Sequence, residues 1–301
     1  MRLPLARRLA SFDLHAESTI HARRNVMAIT AAAVKELRQN TGLPLMDCKK
    51  ALTECDGDQD AAIQWLRERG LKVMGKRSDR ETASGRFGIY AGVDKPSGAI
   101  VELKCESDPV AKNEEFIQLA SDLAQQLATG PGASSGDELL SQPSPSKDGV
   151  ILLEQRDELM NRIREVFNVG RLQRIESATG GYSHNSGTVA GVLIGVSGGT
   201  DEAAKDVSMH IAAMSPAALK IESLDPAEVD KERSILREAA LAEGKPENIV
   251  DKMVEGRIRN FYAERVLLEQ AFVKEQKQTV GQYAKEAGME VKEFTHWVLG
   301  E

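Results

Sequence analysis

Two parts of the sequence show the same order of patterns, in which two short apolar strands precede an amphipathic helix. The segments are 86–91, 99–103 and 110–127 in the first part, and 181–184, 190–195 and 202–214 in the second. A strand pair with one apolar face must bury that face against another layer of structure. The recurrence therefore predicts an α+β core made of two related subdomains that pack together, with coincidence as the alternative explanation.

The segment 225–264 contains two helical patterns that are separated by a helix stop and a helix start. Gly244 ends the first pattern and Pro246 begins the second, in agreement with the preferred positions of these residues. Each helix carries one apolar seam, and the remaining faces are charged. The seams are expected to bury each other in an antiparallel helical hairpin that protrudes as an arm.

Residues 30–70 show three short helical patterns, which begin near Thr30, Pro44 and Asp58. A bundle of this size has a marginal core, so it is better suited to presenting a surface than to enclosing a pocket. A charged linker follows over 71–82.

The rest of the chain shows weaker patterns. Residues 129–149 are rich in glycine, serine and proline, which predicts a mobile loop. A helix is expected over 154–166. The segments 271–273, 279–283 and 294–298 predict a strand, a helix and a strand that return to the second subdomain.

The composition excludes several classes of function. The net charge is −7 and aromatic residues make up 4% of the chain, so we expect neither direct nucleic-acid binding nor base stacking. No apolar run approaches the roughly 20 residues that span a bilayer, and we expect no membrane contact. Cys48, Cys55 and Cys105 lack the spacing of a disulfide framework or a zinc site, so they predict buried thiols in a reducing compartment.

No motif of the sequence indicates catalysis. The phosphate-binding loop G-x-x-x-x-G-K-[ST], the nucleophile elbow G-x-S-x-G and the zinc motif H-E-x-x-H do not occur. We therefore predict that the protein is not an enzyme and has no metal site or cofactor. The alternative function, an enzyme that uses the α+β core, has no clustered acid, base or nucleophile in the sequence to support it.

One short segment, 105–113, changes from a buried strand to a helix within three residues. The structural interpretation is that Ser107 or Asp108 caps the helix and Pro109 fills its first position.

The sequence resembles the elongation factor Ts family in several motifs. They are, in family order, VKELR (34–38) with TG (41–42), MDCKKAL (46–52), GD (57–58), ESDPVAKN (106–113), YSH (182–184), MHIAA (209–213), GKP (244–246), KMVEGR (252–257) and TVG (279–281). The similarity runs over 27–301.

The resemblance implies a fold and a domain order. It implies an α+β protein with a three-helix domain like the ubiquitin-associated domain, a two-part core and an inserted coiled-coil hairpin. The boundaries are an extension 1–26, a helical domain with linker 27–80, core subdomains 81–175 and 176–225 with 265–301, and a hairpin arm 226–264.

The resemblance also implies a function and a partner. Members promote the release of GDP from elongation factor Tu, so the expected function is guanine-nucleotide exchange on that GTPase in its GDP-bound form. The residues that align with the helical-domain docking surface are Leu37, Leu45, Met46 and Lys49. Those that align with the segment beside the magnesium and nucleotide site are Asp108, Pro109 and Val110, and His184 aligns with a contact of the core.

The sequence departs from the family at two places. Pro109 replaces the phenylalanine that is usual after the aspartate, which removes an aromatic wedge. The residues around Asn168 and Gly170 differ from the usual Gly-Glu-Asn string.

Two alternatives concern function and location. A protein-interaction adaptor could use the helical domain alone, without exchange activity. The extension 1–26 carries five arginines against two acidic residues, which resembles an organellar transit peptide. The preferred interpretation is an upstream start codon with Met27 as the functional beginning and a cytoplasmic location, and an organellar matrix is the alternative.

Overall fold

The computed structural model describes residues 29–77, 79–244 and 246–301, so the predicted extension 1–26 lies outside the described residues. The helices are α1 (Ala31–Thr41), α2 (Leu45–Glu54), α3 (Gln59–Gly75), α4 (Asp108–Ala111), α5 (Glu114–Thr129), α6 (Gly136–Leu140), α7 (Leu152–Ile163), α8 (Asp201–Met214), α9 (Pro226–Ala242), α10 (Glu247–Arg265) and α11 (Val280–Glu286). The strands are β1 (Ser84–Tyr90), β2 (Gly98–Cys105), β3 (Asn168–Ile175), β4 (Thr179–Ser186), β5 (Thr188–Gly198), β6 (Ala271–Phe272), β7 (Glu275–Thr279) and β8 (Met289–Val298). Within these ranges, no helix has the length and apolar character that crossing a membrane requires.

The chain divides into two compact units, of which the first ends at Leu66. In this first unit the expected helix starts are present, because Thr30 accepts a hydrogen bond from the Ala33 main-chain N–H and Asp58 accepts one from that of Ala61. Its apolar core consists of buried side chains of α1, the α1–α2 connection, α2 and α3, which are Val34, Leu37, Leu43, Cys48, Ala51, Leu52, Ala62 and Leu66. The likeness to a ubiquitin-associated domain stays a prediction.

The second unit, residues 67–301, contains two antiparallel three-stranded sheets with the same strand order. In each sheet a hairpin is completed by a later strand that pairs with the second strand of the hairpin, giving β1-β2-β3 and β4-β5-β8. Both predicted strand pairs are therefore present, and the mixed helix and sheet content agrees with the α+β class. Of the two third strands, β8 overlaps the strand predicted over 294–298, whereas no strand was predicted where β3 lies.

The two sheets pack face to face, and helices cover their outer faces. Phe87, Ile100, Ile175 and Leu193 form the apolar layer between the sheets. Gly191 is required in this layer, because a Cβ atom there would lie 2.5 Å from the Phe87 ring. Helices α5 and α6 pack on the first sheet with α7 packed against them, and α8 and α11 pack on the second. Strand β2 is consequently buried on both faces.

Helices α9 and α10 run antiparallel and bury a seam of Ala240, Val250 and Val254. Ion pairs cross between the helices along their length, as in Arg233–Glu255 and Arg237–Asp251. That this helix pair is a coiled-coil arm stays a prediction.

Three local predictions need correction. The helix expected over 110–127 is divided into α4 and α5, because the Asn113 side chain accepts the main-chain N–H groups of Glu115 and Phe116 and starts a new helix. The segment 129–149 is not a continuous loop, since α6 lies within it and buries Leu139 and Leu140. The helix expected over 154–166 ends at Ile163.

Candidate functional site

The candidate site is a short turn between β2 and α5, residues 106–111, which we call the Asp108 turn. Asp108 and Pro109 are exposed, while Val110 is half-buried and packs against the core under the first sheet. The Asp108 carboxylate accepts a 2.7 Å hydrogen bond from the Ser84 hydroxyl. At the other end of α4, the Arg86 guanidinium donates to the Ala111 carbonyl at 3.0 Å.

Both donors to this turn come from one face of β1. Successive side chains of a strand point to opposite faces, so Ser84 and Arg86 lie on the same side. That is the side on which α4 packs, and the strand therefore holds the short helix at both ends. Burial lowers the pKa of Arg86, which remains far above neutral in any case, since arginine is effectively always charged.

The capping role expected of Ser107 or Asp108 is wrong. Ser107 occupies the capping position, but its side chain makes no capping hydrogen bond. Its hydroxyl donates instead to Glu165 Oε1 at 2.6 Å, and its main-chain N–H donates to Glu165 Oε2 at 3.1 Å. Asp108 is the first residue of α4 and Pro109 is the second, so the Asp108 carboxylate remains directed at Ser84 and solvent.

Glu106, which is part of the turn, ties it to neighbouring segments. Glu106 accepts the Val166 main-chain N–H at 2.9 Å and the Arg80 guanidinium at 2.9 Å. Glu106 and Glu165 thus hold two neighbouring loops together reciprocally, each receiving a main-chain N–H from the loop of the other. Arg164, which precedes Glu165, has a φ of 69° and turns the chain into this position.

The thiol next to the turn has a structural role. Cys105 is buried and donates to the Ser107 carbonyl at 3.3 Å. Burial raises the pKa of this thiol to about 12, so the reactive thiolate is not populated near neutral pH. Cys48 is buried as expected, whereas Cys55 is only partly buried. In the described part of the chain, no group of three or more His, Cys, Asp or Glu residues is arranged to hold a metal ion.

The residues predicted for docking in the first unit differ in their exposure. Leu45 is 47% exposed and Met46 is 69% exposed, and Lys49 lies beside them on α2 with an exposed side chain. Large apolar side chains at such exposure are available to a partner. Leu37, in contrast, is 0% exposed and belongs to the core of the unit, so it supports this surface and does not form it.

His184 lies on β4, where it is half-buried. Its Nδ1 atom is 3.1 Å from the hydroxyl of Tyr182, two residues earlier on the same face of the strand. Asp108 and His184 both belong to the second unit, whereas Leu45, Met46 and Lys49 belong to the first.

Two residues of the site were missed by the sequence interpretation. Ser84 is 24 residues away from Asp108 in sequence, and Glu165 is 58 residues away from Ser107. Each is a common residue type outside any motif, so no local signal marked it.

Comparison with known proteins identifies the family. The family model described as elongation factor TS matches residues 106–301. Curated proteins named elongation factor Ts are similar over nearly the whole chain. The one from Hyphomonas neptunium is 43% identical over 287 residues, covering 91% of this chain and 92% of its own length. That from Methylococcus capsulatus is 41% identical over 276 residues, covering 91% and 93%.

Because the alignments cover more than nine tenths of this chain and of each relative, they assign the chain to a family. The protein from Clostridium botulinum strain Eklund 17B is again 43% identical, with 91% of this chain and 93% of its own covered. The chain belongs to the elongation factor Ts family. The resemblance drawn from the motifs is thereby confirmed.

Proposed function

We propose that this chain is a guanine-nucleotide exchange factor, which binds elongation factor Tu in its GDP-bound form and promotes the release of GDP during translation elongation. The observation that carries the proposal is the exposed, firmly held carboxylate of Asp108, on a turn inside the region that matches the family. The factor acts by using the free energy of its own binding to weaken the binding of GDP, and no covalent bond forms or breaks.

Docking is assigned to the exposed surface of α2. Leu45 and Met46 offer apolar area that a partner could cover, and full burial of such a side chain contributes about 1.5–3 kcal/mol. Lys49 adds a positive charge at the rim, where it favours an acidic partner surface and speeds association. Leu37 maintains the position of this surface from within the core. His184 is proposed as a further contact, made by the second sheet.

Exchange follows from coupled binding. If the factor and GDP each bind the GTPase and weaken one another, the coupling is reciprocal, typically about 1–3 kcal/mol. A carboxylate that approaches the magnesium and phosphate site adds negative charge where the nucleotide is already negative, and it competes for groups that bind magnesium. Asp108 supplies that carboxylate. Val110 anchors the turn through its contact with the core.

Pro109 replaces the usual aromatic residue, and we propose that the charge of Asp108 takes the larger share of the effect in this chain. Proline also limits the backbone freedom of the turn, because its ring fixes φ near −65°. Replacing Pro109 by phenylalanine should leave the exchange rate equal or higher. A large loss of rate would mean that this chain acts through a different group.

The test is stopped-flow release of fluorescent GDP from purified elongation factor Tu, with and without the protein. We expect acceleration that saturates with concentration. Asp108→Asn should lower the rate at saturation more than it weakens docking, because it removes the charge and keeps the size of the side chain. Asp137→Asn is the matched control, since Asp137 is also exposed in the first turn of a short helix.

The outcomes separate this proposal from its rival. Tight binding without acceleration would indicate an interaction adaptor. Absence of binding would refute the proposal altogether. If the Asp108→Asn substitution lowered rate and affinity in proportion, Asp108 would be an ordinary contact.

The domain division and the cellular location are proposed from the family assignment and the sequence patterns. We propose the domain division 27–80, 81–175, 176–225 with 265–301, and 226–264, with the last acting as an arm. Location in the cytoplasm, where translation supplies the partner, is proposed together with an absence of direct nucleic-acid or membrane contacts.

A further inference from the structure

The orientation of Asp108 depends on residues that lie far away in the sequence. We propose that Ser84 and Glu165 are positioning residues, which hold the Asp108 carboxylate and the backbone of its turn in the orientation that acts on the partner GTPase. This inference rests on the proposed exchange function. It goes further by assigning roles to two residues outside every motif that identified the family.

Ser84 acts on the carboxylate. An exposed aspartate without a fixed partner samples several staggered side-chain conformations, and only some of them point its charge in a given direction. The 2.7 Å hydrogen bond from the Ser84 hydroxyl selects one of them before the partner arrives. Ordering the side chain in advance removes an entropic cost from the step after docking, in which the carboxylate approaches the nucleotide site.

Glu165 acts on the backbone. It accepts both the main-chain N–H and the hydroxyl of Ser107, the residue immediately before Asp108. The extended backbone of Ser107, with φ −138° and ψ 150°, sets the direction in which α4 begins. A glutamine at position 165 could still accept the main-chain N–H and could donate its amide N–H to the Ser107 hydroxyl, which also accepts hydrogen bonds. An alanine there removes both hydrogen bonds. The direction of the turn would then be less well defined.

Position 109 is a proline in this chain and offers no aromatic ring that packing against a partner could align. A carboxylate acts through its charge, and its effect depends on where its oxygen atoms lie. Preorganisation by Ser84 and Glu165 supplies that placement.

The structure offers a matched control elsewhere on the surface. Glu138 accepts the main-chain N–H and the hydroxyl of Ser134, each at 2.7 Å. The donor groups are the same as those that Ser107 offers to Glu165, although one oxygen of Glu138 accepts both. This pair lies at the start of α6 and is assigned no part in docking or exchange. Ser134→Ala and Glu138→Ala therefore measure the effect of losing such hydrogen bonds in general.

The experiment measures the rate of GDP release at saturating factor and, separately, the affinity for the GTPase. Ser84→Ala and Glu165→Ala should each lower the saturated rate about two- to tenfold, the change expected from a lost hydrogen bond or a disordered side chain. The affinity should stay within about twofold, and the Ser134→Ala and Glu138→Ala variants should match the parent in both. In an Asp108→Ala background, Ser84→Ala should have no further effect.

A second readout does not depend on exchange. Three-bond scalar couplings of Asp108 should report a single χ1 conformation in the parent and an average in the Ser84→Ala variant. The Ser107 amide should exchange with deuterium faster in the Glu165→Ala variant than in the parent.

The outcomes distinguish this inference from the proposed function. Unchanged rates and unchanged couplings in the Ser84→Ala variant would overturn the positioning role of Ser84, and an undiminished effect of Ser84→Ala in the Asp108→Ala background would do so as well. Unchanged rates and unchanged Ser107 amide exchange would overturn that of Glu165. If the parent itself failed to release GDP, the proposed function would fall, whereas altered couplings would still show that Ser84 orders the carboxylate.

Discussion

Replacing Arg171 by methionine should destabilise the second unit strongly, because it would leave a carboxylate buried between the sheets. Glu102 is 4% exposed and lies opposite a bulge in β3. The Arg171 guanidinium donates to Glu102 Oε1 at 2.8 Å and to Oε2 at 3.2 Å, and it lies over the rings of Phe87 and Trp297.

The magnitude follows from what remains after the substitution. Breaking a buried ion pair on one side costs about 3–5 kcal/mol. Here the Arg171 side chain is 33% exposed, so solvent already screens part of the interaction, and its main-chain N–H still donates to Glu102 at 3.1 Å. We therefore expect a loss of about 2–3 kcal/mol in the free energy of unfolding. Glu102→Gln, which keeps an acceptor, should cost about 1 kcal/mol.

The assay is urea unfolding followed by the fluorescence of Trp297, which lies in the layer between the sheets. A Trp65→Phe background removes the signal of the first unit. Arg67→Met is the control, because Arg67 makes an ion pair of similar length with Glu158, at 2.9 Å, but with both side chains exposed. That substitution should change the stability by no more than about 0.5 kcal/mol.

The double variant provides the decisive comparison. Replacing both Arg171 and Glu102 by methionine removes the buried charge altogether, so it should be less destabilised than Arg171→Met alone. The reasoning is refuted if Arg171→Met costs no more than the control, or if the double variant is the least stable of all.

Three further predictions concern other parts of the molecule. Burial lowers the pKa of His210 below its ordinary value of 6.5, opposed by its hydrogen bond with Gln270, so the unfolded chain binds the proton more readily. Stability should therefore fall as the pH decreases below 6.5, and less steeply in a His210→Gln variant, as measured by urea midpoints. Asn113→Ala should cost about 1 kcal/mol by loss of the α5 cap, measured by urea unfolding. Leu37→Ala should destabilise the first unit by about 2–5 kcal/mol, whereas Met46→Ala should weaken docking and leave the melting temperature unchanged.

Each of these predictions has an outcome that contradicts it. An identical pH dependence in the parent and the His210→Gln variant would exclude His210 as a source of the effect. An Asn113→Asp variant as unstable as Asn113→Ala would argue against capping, since aspartate also caps. A folded Leu37→Ala variant with normal stability would contradict the buried position of that side chain.

The family assignment and much of the local structure could be predicted from the sequence. The strand pairs β1-β2 and β4-β5 form between neighbouring segments, and their apolar patterns are visible in the residues themselves. The end of α1 at Gly42 and the start of α3 at Asp58 follow from backbone preferences and side-chain caps, which act within a few residues.

The remaining elements depend on partners that are distant in sequence. Exposed and buried side chains do not alternate strictly along β3, so the sequence gives little indication of a strand there. Pairing with β2 decides its conformation. The break at Asn113 lies within the helix predicted over 110–127, in the polar stretch 112–115 that precedes Phe116. Gly170 departs from the family string where a Cβ atom would lie 2.3 Å from the Glu102 carboxylate, a constraint that exists only after the sheet has formed.

By itself, the sequence determined the family, the α+β class and the position of the turn that carries Asp108. Only the tertiary structure decided what that turn can do. It placed Ser84 beside Asp108 across 24 residues and Glu165 beside Ser107 across 58 residues, and it buried Leu37 while leaving Met46 exposed. The physical reason is that hydrogen-bond partners and burial are properties of segments brought together by folding, whereas motifs and caps are properties of neighbouring residues.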